Sequence, residues 1–82
     1  MIVKMEIFME LNNKNILSRR LRELRLLYNL NQKEVAEELH LTSQAVSNYE
    51  HGKREPKIAE LVRIADYYKV SIDYLVGRVD NQ

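Results

Sequence analysis

Cysteine and tryptophan are absent from this 82-residue chain, phenylalanine and proline occur once each, and glycine occurs twice. Without cysteine there is neither a disulfide framework nor a thiolate metal site, and nothing in the composition calls for an oxidising compartment. No apolar run approaches the ~20 residues needed to cross a bilayer. The N-terminal segment carries Lys4, Glu6 and Glu10 among its apolar residues, unlike a signal peptide. Charge of one sign is also missing: 13 Lys and Arg face 12 Asp and Glu, a net +1. Bulk charge therefore does not announce a nucleic-acid partner, and any such case must rest on where the charges lie. What is present, 45% hydrophobic and 30% charged residues, describes one small soluble domain with a modest core, too small for a deep catalytic cleft. The expected address is cytoplasmic, with the nucleoid.

Residues 1–15 read as an arm, extended or disordered. Val3, Met5, Ile7, Met9 and Leu11 alternate with Lys4, Glu6 and Glu10, and only Phe8 breaks the pattern. A lone strand cannot satisfy its edges, but a second copy of the chain could pair with it. Met9 is an alternative start to Met1. Asn12, Asn13 and Asn15 supply caps for a helix from Ile16 to Tyr28, whose stripe is Leu17, Leu21, Leu24 and Tyr28. Asn31 with Glu34 forms a capping-box pattern that opens a second helix, Gln32 to Leu39. Thr42 caps a third, which ends near His51 because Gly52 can take the left-handed conformation. Pro56 resets the chain before a fourth stripe of Ile58, Leu61, Val62, Ala65 and Tyr68. Ser71 caps a short fifth helix, Ile72 to Val76, stopped by Gly77. Residues 78–82 are a polar tail expected to fray. The expected fold is all-α, a compact five-helix domain over 16–77 between the arm at 1–15 and the tail at 78–82.

The informative stretch runs from Asn31 to Pro56, where two short helices are joined by the break at His40 to Thr42, a helix-turn-helix pattern. Ser43, Gln44, Ser47 and Asn48 lie on the third helix opposite Ala45, Val46 and Tyr49. Asn and Ser are poor helix formers, and this face lacks the Lys and Glu that a helix chosen for stability carries. Its side chains suit base edges: Gln44 and Asn48 can each pair with adenine N6 and N7, and Thr42 and Ser43 donate or accept as the base requires. Phosphate contacts are expected from Gln32, Lys53 and Arg54, with both helix starts turning partial positive charge outward. Lys33 and Lys57 are weaker candidates. His40 and His51 have no partners at metal-ligand spacing. Tyr67, Tyr68 and Tyr74 fit packing or a dimer seam better than a stacking platform for single strands. With no paired carboxylates, Ser-His-Asp set or glycine-rich phosphate loop, neither an enzyme nor a cofactor is expected.

From Ile16 to Gly77 the chain resembles the lambda-repressor/Cro family of helix-turn-helix domains, also called Xre-like. The resemblance rests on Gln32, the Val35-Ala36 pair, the turn at His40 to Thr42, Tyr49-Glu50-His51-Gly52-Lys53-Arg54, Pro56, and the run from Ser71 to Gly77. Two positions depart from the family: His40 stands where glycine is common, and Lys57 where Ser or Thr usually caps the fourth helix. The resemblance implies base contacts at Ser43, Gln44 and Asn48, and an ion pair between Arg25 and Glu50 that fixes the third helix against the first. The function it implies is a sequence-specific regulator of transcription on double-stranded DNA, a repressor acting as a homodimer on a near-palindromic operator. Its seam would be either Tyr74, Leu75, Val76 and Val79 or the arm. The alternative is an antitoxin-like or other protein-interaction module on the same fold.

Overall fold

In the computed structural model the described residues are 16–82, and the expectations for the arm lie outside them. Helix α1 occupies residues 16–27. It is followed by α2 (Gln32–Leu39), α3 (Ser43–Glu50), α4 (Ile58–Tyr68) and the single turn α5 (Ile72–Leu75), one residue shorter than expected. Among the described residues there is no strand, so the domain is all-α with five helices. None of these helices is long and apolar enough to cross a membrane.

Local chemistry sets the boundaries. The Asn31 carboxamide oxygen accepts from the Glu34 amide at 2.8 Å, and the Glu34 carboxylate accepts from the Asn31 amide at 3.0 Å, a complete capping box. At the other end of α2, His40 adopts φ 55 and ψ 43, the left-handed conformation that glycine takes without strain. The turn holds because the Leu41 amide reaches back to the Ala36 carbonyl at 2.8 Å. Thr42 Oγ1 then accepts from the Ala45 amide at 3.0 Å and starts α3. Beyond α3, Gly52 has φ +70, a conformation strained for other residues, and a Cβ there would stand 3.0 Å from Ser18 Oγ, so both backbone and space favour glycine.

One core joins Leu21 and Leu24 of α1, Val35, Ala36 and Leu39 of α2, Val46 and Tyr49 of α3, Ile64, Ala65 and Tyr68 of α4, and Tyr74 and Leu75 of α5. Three expectations need correcting. Ile58 and Val62 are 80% and 40% exposed, and Ile64 takes their place in the core. At about 100° per residue, Ala65, Leu61, Tyr68 and Ile64 span one arc of α4, and Ile58 and Val62 lie off its other edge. Tyr28, placed in the α1 stripe, falls past the end of that helix and is 50% exposed. Its ring stacks on Tyr68 with centroids 6.0 Å apart, and its hydroxyl donates to the Tyr68 carbonyl. Tyr74 and Leu75, offered for a dimer seam, are 8% and 0% exposed and already serve the monomer's core.

The start of the tail, expected to fray, makes specific contacts with α1 and α5. Arg20, buried in α1, donates to the Tyr74 carbonyl and, at 2.8 Å, to the Val79 carbonyl. Its guanidinium carbon lies 4.1 Å from the centroid of the Tyr74 ring. The Arg78 amide also donates to the Asp73 carbonyl at 2.8 Å.

Candidate nucleic-acid interface

Burial of Val46, Tyr49 and Glu50 decides which way α3 faces. With that side turned inward, Thr42, Ser43 and Gln44 are exposed, and Ser47 and Asn48 are half-buried at the edge. Thr42 Oγ1 accepts the cap hydrogen bond, which leaves its hydroxyl hydrogen and one lone pair to offer. Ser47 Oγ lies 3.3 Å from His51 Nδ1. The Gln44 amide nitrogen donates to Asn48 Oδ1 at 3.0 Å, one turn further along the same face. Lys53 and Arg54 come after His51 and Gly52 at the end of α3 and are exposed, as are Lys33 and Lys57.

Behind this face three of the named residues meet. Arg25 Nε and Nη2 donate to the two carboxylate oxygens of Glu50 at 2.7 and 3.0 Å, a two-pronged contact between α1 and α3. Arg25 Nη1 also donates to the Leu30 carbonyl at 3.0 Å, so one side chain braces the α1–α2 turn as well. The hydrogen bond to Glu50 raises the Arg25 guanidinium above its ordinary range. Glu50 is only 3% exposed, and its Oε1 takes a further hydrogen bond from the Gln32 amide nitrogen at 3.2 Å. A buried carboxylate with this many donors has its lost hydration replaced by fixed partners. Gln32, at the first position of α2, is thereby tied to the last residue of α3.

Two anchors were not foreseen. The Tyr49 hydroxyl donates to the Glu60 carboxylate, tying α3 to the first turn of α4. Burial first, and that hydrogen bond second, push the Tyr49 phenol up to about 12. The available signal was general, since a buried tyrosine hydroxyl needs a partner. Arg63 likewise donates to the Leu39 carbonyl at the end of α2. Both contacts depend on how α4 crosses the other helices, which spacing along the chain does not reveal.

A capped pair of helices joined by a left-handed turn, with its second member exposing short polar side chains, defines a helix-turn-helix domain of the lambda-repressor-like class. The helix-turn-helix family model matches residues 21–75, two thirds of the chain, and the chain belongs to that family. It is 40% identical over 62 residues to the HTH-type transcriptional regulator ImmR of Bacillus subtilis (strain 168), covering 76% of this chain and 49% of that protein. It is 37% identical over 59 residues to the cryptic phage CTXphi transcriptional repressor RstR of Vibrio cholerae, covering 72% of this chain and 53% of the repressor. A transcriptional regulator from Listeria innocua superposes with a TM-score of 0.72 at 33% identity, over 80% of this chain and 62% of that one. The chain thus spans about half the length of these curated relatives and under two thirds of the solved structure.

Proposed function

We propose that this chain is a DNA-binding transcriptional regulator that reads double-stranded DNA through α3 and acts as a repressor, two copies binding a near-palindromic operator. The observation that carries the reading is the outward face of α3, where Ser43 and Gln44 are exposed and Asn48 stands at the edge, with the cations Lys53 and Arg54 just beyond it. Side chains of this type match base-edge donors and acceptors, while the cations suit phosphates. Gln32 has given one amide N–H to Glu50 and keeps a second for a phosphate oxygen at the start of α2. The Arg25–Glu50 pair ties the end of α3 to α1, and Gln32 ties the start of α2 to the same carboxylate.

With Tyr74 and Leu75 in the core, a seam at the C-terminal end would use Val76, half-buried, and Val79, 38% exposed. A second reading, a protein-interaction module, is favoured by Leu26, Leu27 and Tyr28, which leave an apolar corner exposed at the end of α1.

The test is selection of bound duplexes from a random-sequence pool at about 0.15 M salt. A two-fold-related motif with half-sites about 10–10.5 bp apart, or a multiple of that, is expected. No enrichment over random DNA would shift the weight to the interaction reading.

A further inference from the structure

Gln44 and Asn48 were each expected to read adenine independently, yet in the free protein they are bonded to one another. We infer that they form a single reading unit in which the hydrogen bond fixes the direction of both amides, so that Gln44 specifies adenine and Asn48 specifies a base presenting acceptors. The inference rests on the DNA-reading function proposed above and deepens it.

A glutamine amide has one oxygen and two N–H groups. Gln44 gives one N–H to Asn48 Oδ1 at 3.0 Å. It retains its oxygen and its second N–H, the acceptor-donor edge that adenine N6 and N7 require. The Asn48 oxygen is turned to Gln44, so its Nδ2 group points the other way with two donors free. Two donors are matched best by guanine, which presents the acceptors O6 and N7 side by side; thymine O4 and adenine N7 each offer a single acceptor, and adenine N6 offers none. The setting supports the bond as a built feature: the two residues are one helical turn apart, where side chains on a shared face meet. Asn48 is half-buried beside the core residue Tyr49 and therefore has fewer rotamers to choose from than a free surface side chain. The main-chain carbonyl of Asn48 also accepts from the Lys53 amide at 3.0 Å, which fixes the backbone from which that side chain projects.

The experiment combines duplex selection and affinity measurement at about 0.15 M salt for the wild type, Gln44→Ala, Asn48→Ala and the double variant, with the side-chain amide resonances of the DNA-free proteins recorded by NMR. Circular dichroism checks that each variant is folded. Each single change is expected to cost about 5- to 150-fold on the selected site. The double variant should lose at least about threefold less than the product of the two, since neighbours in one network are not additive. Gln44→Ala should relax preference at two base positions, because the Asn48 amide is then free to turn. The Gln44 side-chain amide signal should move in Asn48→Ala without DNA present. Losses that multiply, each relaxing only its own position, or an unmoved Gln44 signal, would overturn the unit and leave the DNA-reading function standing. A selected motif unchanged in all three variants would remove the base-reading role itself, and this inference with it.

Discussion

Burying an arginine in a domain this small costs solvation that only fixed partners can offset, and Arg20 has them on three sides. It lies over the Tyr74 ring, bonds the Tyr74 and Val79 carbonyls, and approaches Asp80 at 3.4 Å. Arg20→Ala leaves two carbonyls short of a donor and a ring face bare, and should lower unfolding free energy by about 2–4 kcal/mol. Urea denaturation checks this, and a loss below about 0.5 kcal/mol would mean that the contact is ornamental. Tyr49 makes a pH prediction. Its phenol is raised from 10.0 to about 12, so the protonated form is favoured by folding. That contribution is complete below about pH 10 and is lost as the pH rises toward about 12. Thermal midpoints of the wild type should therefore fall across that window more steeply than those of Tyr49→Phe, which has no proton to lose there. Parallel curves would contradict the assignment. Both groups show where residue-level reading of the sequence stops. Arg20 and Tyr74 are distant in the chain, and only the packing of α5 on the core brings them together. Arg25 and Glu50 are also distant, and only the family resemblance proposed their pairing.

At the scale of elements the chain is far more legible, because helix ends are local chemistry. Asn31, Thr42 and Ser71 each cap the helix they precede, with the side-chain oxygen accepting a hydrogen bond from an amide three residues on. Helix faces were harder. The stripe of α4 was read from apolar residues alone, and it admitted Ile58 and Val62 because periodicity cannot say which edge of a wide apolar arc the core will cover. The exposed polar face of α3, proposed to read bases, could be drawn from residue type and spacing, but its internal Gln44–Asn48 bond could not. Lys57 shows that a departure from local rules persists in the structure: it stands at the N-cap of α4 with φ −67 and ψ 161 and makes no side-chain capping bond. Serine adopts that backbone readily and would supply the missing acceptor. Lys57→Ser should raise stability by about 0.5–1 kcal/mol, measured by urea denaturation. A decrease would mean that the Lys57 stem contributes packing that its exposure does not suggest.

Considered as a whole, the molecule has almost no net charge, only +1, so long-range attraction contributes little to its meeting with a polyanion. On the proposed DNA-binding role, whatever salt dependence it shows must come from the few phosphates it would touch directly. Lys53 and Arg54 are the exposed cations placed just beyond α3, while Glu37 and Glu38 remain exposed on α2. Each phosphate neutralised steepens the plot of log K against log salt by about 0.9. Two such cations per protomer give a slope of about −2 for one copy on DNA and about −4 for two. Lys53→Ala should flatten the two-copy slope by about 2, weakening cognate and random duplexes alike, because a phosphate contact carries no sequence information. Gln44→Ala should leave the slope where it was and lower only the cognate affinity. A slope of about −2 on the full selected site would be incompatible with two copies each contributing Lys53 and Arg54. A slope unmoved by Lys53→Ala would place the phosphate contacts elsewhere, with Lys33 and Lys57 as the cations to test next.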